Sequence, residues 1–419
     1  MAKKKVGPGV VSLGALLLAA TGCSGGDASA GSEGNAINLG RCYGANCGEQ
    51  VQAVKVEDVP AASCVDVGAE LEEPLSFEVI DGARPAGIRI APDGTVWVLE
   101  RSDGMPPSGG ASLSLAHFSI DGVLLGTTGV VTSESDHVWT EQDLAVDAAG
   151  VATVAVYTNF AETADSEVIE ELKLFSFDAE LQSMGAPLVF HGVAVPKLAG
   201  ADAGTYWLAG NAVGNKSHGV VSRVEGREPV WIQTGVPTSG NGAGVGVSGL
   251  AVGSDGTSAI LAQRSPRWSG GPDVYRYGIA TYDAAGKPIW NMELPTEFVG
   301  GYRATLVGTP EGDLVVAGVT SEGSNVTIRS VSRTGQLGWA FQVQSLDADN
   351  LALDPETGRT FATTTQGLAV IEAEGQSCKL HGNPHAPGAL SLFGMPRVRG
   401  DHVYASDGYL VWRYRLPTE

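Results

Sequence analysis

The sequence predicts an all-β chain, a ring of about seven four-stranded sheets, and three observations carry that expectation. First, one turn pattern recurs along the chain, in "IAPDGTVWVLE", "VDAAGVATVAVY", "GADAGTYWLAG", "VGSDGTSAILAQ", "VGTPEGDLVVAG", "LDPETGRTFATT" and, more loosely, "VRGDHVYAS". Its glycines, Gly94, Gly150, Gly204, Gly256, Gly312, Gly358 and Gly400, stand 42 to 56 residues apart. Second, a further hairpin follows most of these turns, as in "TYDAAGKPIWNM" and "VSRTGQLGWAF", which makes four strands per unit. Third, the 58 glycines serve turns, and no long amphipathic pattern appears after residue 40. A single four-stranded unit cannot bury both faces, so units of this length pack around an axis until the ring closes, as a β-propeller. Seven is the expected count, and the compact, irregular last two units leave six or eight open.

Taken from the N-terminus, the first element is an export signal. Lys3, Lys4 and Lys5 precede the apolar run "VVSLGALLLAA", which is too short to span a bilayer, and "TGC" follows. This resembles the lipobox of bacterial lipoproteins. The resemblance implies cleavage after residue 22, diacylation of Cys23 and attachment to the cell envelope. Ser24 after the cysteine directs such proteins to the outer membrane under the enterobacterial sorting rule. Residues 23–40, with "SGGDASAGSEGNA", hold no aromatic residue and form a tether. The expected arrangement is a signal at 1–22, the lipidated linker at 23–40, a cysteine-bearing collar at 41–74 and a propeller at 75–419.

The formal net charge of −21 excludes nucleic acid as a partner, since phosphates are repelled. The expected partners are a membrane, through the lipid, and envelope proteins or glycans, met by a monomer. Besides Cys23, four cysteines remain, Cys42, Cys47, Cys64 and Cys378, an even number suited to an oxidising compartment. They allow three pairings. We favour Cys42 with Cys47 and Cys64 with Cys378, because the second bridge would tie the N-terminal segment to the end of the ring. A rival reading of "CKLHGNPH" as a zinc loop supplies three ligands, Cys378, His381 and His385, where zinc takes about four.

Ring closure needs a latch. The last unit offers three strands, and the unpaired "LSFEVI", Leu75 to Ile80, is expected to complete it. Within the ring, "EGREPVW", "DAAGKPIW" and "RTGQLGW" place Trp231, Trp290 and Trp339 on the same strand of successive units. Residues 75–416 resemble bacterial propeller repeats of the pyrroloquinoline-quinone-like and periplasmic kinds. The resemblance implies that these tryptophans lock neighbouring blades and touch no cofactor.

Function is written less clearly. Long loops gather on one face, and the most unusual, "RSPRWSGGPDVYR", groups Arg264, Arg267 and Arg276 with Trp268 and Tyr275, a basic aromatic cluster suited to an anion, glycan or peptide. Asp143, Asp349 and Asn350 occupy inner-strand starts, where lactonase-like propellers, which this plan resembles, hold Ca2+. No nucleophile elbow, haem motif, zinc-protease motif or phosphate loop occurs. The sequence therefore points to a cell-envelope binding or scaffolding module without a cofactor. A Ca2+-dependent lactonase-like hydrolase is the alternative, and a quinoprotein oxidoreductase the third choice.

Overall fold

Seven β-sheets, each read from an inner to an outer strand, succeed one another along the chain in the computed structural model. It describes residues 52–53, 60–77, 83–102, 112–132, 138–161, 168–191, 193–212, 219–226, 228–236, 245–264, 276–295, 304–309, 311–319, 325–344, 351–364, 367–382, 396–406 and 410–416. All belong to one unit from Asn35 to Glu419. The inner strands of blades 1 to 7 are Arg84–Ile90, Val138–Val146, Val193–Gly200, Val245–Val252, Ala304–Gly308, Leu351–Leu353 and Arg397–Arg399. Each touches the next, and the seventh touches the first, so the ring is closed. The fold is the expected seven-bladed propeller. Among the described residues the only helical element is a short 3-10 turn, Ala373–Gly375.

The repeated glycines do what their spacing implies. All seven adopt positive φ, from +58° at Gly400 to +93° at Gly94, a region that side chains resist. In the second hairpin of blade 4, Asp283 Oδ1 accepts the backbone N–H groups of Ala285 and Lys287, and Gly286 closes the turn at φ +79°. The short polar side chain thus substitutes for missing backbone partners and fixes the register.

Closure uses the N-terminal segment. Strand Glu72–Phe77, slightly earlier than the expected Leu75 to Ile80, pairs antiparallel with Val411–Arg415 and supplies the fourth strand of blade 7. Phe77 then sits fully buried between blades 7 and 1, edge-on to Phe118 at 5.5 Å and tilted against Tyr404 at 5.8 Å. Arg399 donates from Nη1 to Ala91 O (2.7 Å) and from Nη2 to Pro92 O (2.8 Å), and Arg413 donates to Ile120 O.

The segment before the latch is a belt. Gln52–Ala53, Ala62–Ser63 and Val65–Glu70 add short parallel fifth strands to the outer edges of blades 4, 5 and 6 in turn. Cys64 is bonded to Cys378, the first residue of the outer strand of blade 6, as expected. The bridge closes a separation of 314 residues, and losing a native disulfide of this kind typically costs about 2–5 kcal/mol. Cys42 and Cys47 lie outside the described residues, as do Cys23 and the tether.

Neighbouring blades are keyed by a bulky side chain resting on a bare turn. Trp231 donates from Nε1 to Ala284 O at 3.0 Å, and a Cβ on Gly286 would lie 2.6 Å from its ring. Trp290 donates to Arg333 O in blade 5 at 2.6 Å, and a Cβ on Gly375 of blade 6 would lie 2.1 Å from Trp339. Between blades 1 and 2 the same key is reversed. Gly126 takes the tryptophan's place on the outer strand, and Leu181 takes the glycine's place in the next turn, at φ +62°. A Cβ on Gly126 would lie 2.8 Å from Leu181 Cδ1. The leucine holds a left-handed conformation costing roughly 1–2 kcal/mol because its side chain fills the space the glycine leaves.

This exchange is testable by a double-mutant cycle. Leu181→Gly and Gly126→Trp are each expected to destabilise, the first by about 1–2 kcal/mol through lost burial, the second by overpacking. Together they restore the arrangement of blades 3 and 4, so the urea midpoint of the double variant should exceed the additive value by at least about 1 kcal/mol in free energy. Additive effects would sink the proposed equivalence of the two keys.

Candidate active site

Seven inner strands converge on the ring axis, and their free edges must be satisfied there. Asp143, in the middle of blade 2's inner strand, does this for two blades. Its Oδ1 accepts from Leu144 N (2.8 Å) and from Arg89 Nη2 of blade 1 (2.9 Å), and its Oδ2 accepts from Leu198 N of blade 3 (2.7 Å). Asp147, at the turn end of the same strand, repeats the device, with Oδ2 accepting from Gly204 N of blade 3 at 2.7 Å. Asp143 therefore bridges three blades.

A second carboxyl stands two residues earlier. Strand alternation places Glu141 and Asp143 on one side, the side turned to blade 3, and the pairing from Glu141 to Val146 is regular. Burial pushes the Glu141 carboxyl above the usual carboxylate range, and Lys197 of blade 3 pulls it part of the way back. Its surroundings differ from those of Asp143, which is held by three donors. Beyond this pair stands Arg397, on the inner strand of blade 7. Its Nη1 donates to Pro396 O at 2.6 Å, while burial and then the Arg89 guanidinium oppose its charge and Asp143 supports it. Glu141 lies nearer the strand start than Asp143, so it is the member closer to the loop-bearing end of the channel.

The residues singled out from sequence fare differently. Asp143 is in the channel wall, in the contacts given above. Asp349 and Asn350 lie outside the described residues. Among the described residues no three His, Cys, Asp or Glu side chains are grouped to hold a metal ion. Arg264 and Arg276 are backbone partners at the end of the ladder between the two middle strands of blade 4. Arg267, Trp268 and Tyr275, in the loop between them, lie outside the described residues. Sequence reasoning missed Arg89, Glu141 and Arg397, and weighed Lys197 only as a charge that would oppose a metal. The available signal was charge on strands otherwise made of Val, Leu, Ile, Ala and Gly, as in "EQDLAV" and "RVRG".

No protein-family model and no curated protein matches this chain. Solved structures do. An α-L-arabinanase of Penicillium chrysogenum, complexed with arabinobiose, is 9% identical, with 75% of this chain and 99% of that one covered at a TM-score of 0.45. An α-L-arabinofuranosidase of Fusarium graminearum, with an iminosugar inhibitor, is 10% identical over 84% and 97% of the two chains at a TM-score of 0.47. A puromycin hydrolase is 17% identical at a TM-score of 0.45, with 82% of this chain but 53% of the hydrolase covered. The fold itself rests on the sheet order described above, and likeness at this level adds nothing finer.

The expected binding or scaffolding role for protein or glycan partners is corrected here. The channel wall carries two carboxyls in unequal surroundings, which a passive scaffold does not require.

The raised proton affinity of Glu141 fixes a sign for stability. A carboxyl whose folded value exceeds its ordinary 4.5 contributes stability below that value and loses it as pH rises through the raised one. Glu141→Gln keeps the shape and removes the titration. In urea melts from pH 4 to pH 8, the variant should gain stability relative to wild type as pH rises. The depressed carboxyls Asp93, Asp255 and Asp401 act alike in both proteins and cancel in the difference. Parallel curves would show that Glu141 is not strained by burial.

Proposed function

We propose that the protein is an exported lipoprotein, tethered to the bacterial cell envelope through Cys23, whose propeller hydrolyses a glycan at the channel wall of blades 1 to 3. The observation that carries the catalytic part is the Glu141 and Asp143 pair. Two carboxyls in unlike environments, one disposed to keep its proton and one held by Arg89 and two backbone N–H groups, are the equipment of glycoside hydrolysis. Glu141 is the general acid that protonates the leaving oxygen. Asp143 supplies the negative charge that stabilises the oxocarbenium-like transition state, and Arg89 and Leu198 N position it. The repeats fit the periplasmic and quinone-like kind in their tryptophan keys, and no quinone chemistry is assigned to them.

Export is supported by the basic start, the short apolar run and the cysteine at 23, and by a disulfide suited to an oxidising compartment. In a bacterial host, Cys23→Ser should abolish metabolic labelling with radioactive palmitate and release the protein from the membrane fraction. Unchanged labelling would remove Cys23 as the anchor.

The catalytic proposal is tested by reducing-end release from a panel of neutral and acidic polysaccharides. Glu141→Gln should lower kcat by about 100- to 10,000-fold with KM little changed, the usual effect of losing a general acid. A wild-type protein that cleaves none of the panel, or a Glu141→Gln variant as active as wild type, overturns it.

A further inference from the structure

Among the described residues, the channel wall holds a guanidinium that no carboxylate of its own answers. Arg89 is paired with Asp143, and the charge of Lys197 acts on Glu141. Arg397 is left with the carbonyl of Pro396, the residue before it, and with the repulsion of Arg89 nearby. The one carboxylate that favours its charge, Asp143, is already accepting from Arg89, Leu144 N and Leu198 N. This is unusual in a chain with 47 acidic and 26 basic residues, where a guanidinium has many acids to meet. Elsewhere in blade 7 they do meet: Arg415 takes Asp401 at 2.9 Å. A partly buried cation without its own anion costs stability, and such a cost is kept where a ligand removes it.

The geometry points to a monoanionic sugar, a uronic acid, as the unit of the glycan held in the channel, with its carboxylate seated against Arg397 and Arg89. This specifies the substrate of the hydrolase proposed above and rests on that reading for the sugar, though not for the anion. The fit is one of charge and shape. Arg397 has no carboxylate of its own among the described residues, and the carboxylate of a sugar supplies one. A guanidinium presents parallel N–H donors that match the two oxygens of a planar carboxylate, giving short charge-assisted hydrogen bonds. The anion also has a direction. Arg397 and Arg89 belong to blades 7 and 1, Glu141 to blade 2, so a ring whose carboxylate lies on the closure seam extends its glycosidic oxygen along the wall towards the acid.

The test is a titration of the whole protein with a galacturonate trisaccharide, its fully methyl-esterified form and inorganic phosphate, each by calorimetry at low salt. The acid should bind at least about tenfold more tightly than the ester, and phosphate should compete weakly. Arg397→Gln should bring acid and ester to parity. Arg397→Lys, which keeps the charge and loses the fork, should leave an intermediate preference and guards against a misfolded glutamine variant. Glu141→Gln should retain the full preference, since it alters the acid and leaves the anion contacts. Equal binding of acid and ester by wild type, or an undiminished preference in both Arg397 variants, overturns the site. Phosphate that competes as well as the uronate overturns the sugar assignment. The two proposals fail separately: uronate binding without cleavage of any glycan removes the hydrolase, and cleavage of neutral glycans with no preference for acidic ones removes the uronate site.

Discussion

The structure depends on one antiparallel pairing, that of Glu72–Phe77 with Val411–Arg415. Six of the seven blade junctions join sheets adjacent in sequence, where chain connectivity keeps partners close. The seventh joins residues more than 300 positions apart and must overcome the loop entropy of nearly the whole ring. Several independent devices meet there. A strand supplies backbone hydrogen bonds, Phe77 fills the seam with apolar surface, Arg399 and Arg413 reach the carbonyls of blade 1, and the Cys64–Cys378 bridge holds the preceding strand to blade 6. The disulfide limits how far the latch can travel when it opens, so even a transiently open ring keeps its ends together.

Closure also composes the channel wall. Arg397 comes from the last blade, Arg89 from the first, and Asp143 and Lys197 from the next two, so the charged group straddles the seam. Opening the ring would separate Arg397 from Arg89 and Asp143. The seam is therefore both the least local part of the fold and the part on which the candidate chemistry rests.

The turn glycines were legible because each position demands positive φ, a local requirement that only a few residues meet; the spacing then gave the blade count. The latch and the long-range cysteine pair were legible from counting, since three strands at one end and a spare strand at the other leave one economical solution. The belt was not legible. Gln52–Ala53 and Ala62–Ser63 are two-residue strands without alternation, and they exist only because the outer edges of blades 4 and 5 offer unpaired backbone. The reversed key was hidden for a different reason: Leu181 breaks the glycine rule locally, and only its contact with Gly126 explains it. The site was half legible. Asp143 was noticed for its place on the strand, as a metal ligand, whereas Arg89 and Arg397 come together only through the register of separate blades, which no spacing reveals.

The ring has two unlike sides. Blades 4 to 6 carry fifth strands, blade 7 carries the latch, and Trp231, Trp290 and Trp339 key the run from blade 3 to blade 6. Blades 1 to 3 end in outer strands with no added partner among the described residues, and blade 1 exposes Val123, Leu124 and Leu125 on its rim. The charged inner wall belongs to this less reinforced side together with the seam. Placing buried charge on an inner strand lowers the stability of that blade, and a continuous reinforced arc opposite it offsets the loss without constraining the wall. If catalysis needs small movements of the inner strands, they cost least where the outer edges are free. The asymmetry of the belt then follows from the position of the charges: the chain strengthens the half of the ring opposite the charged wall.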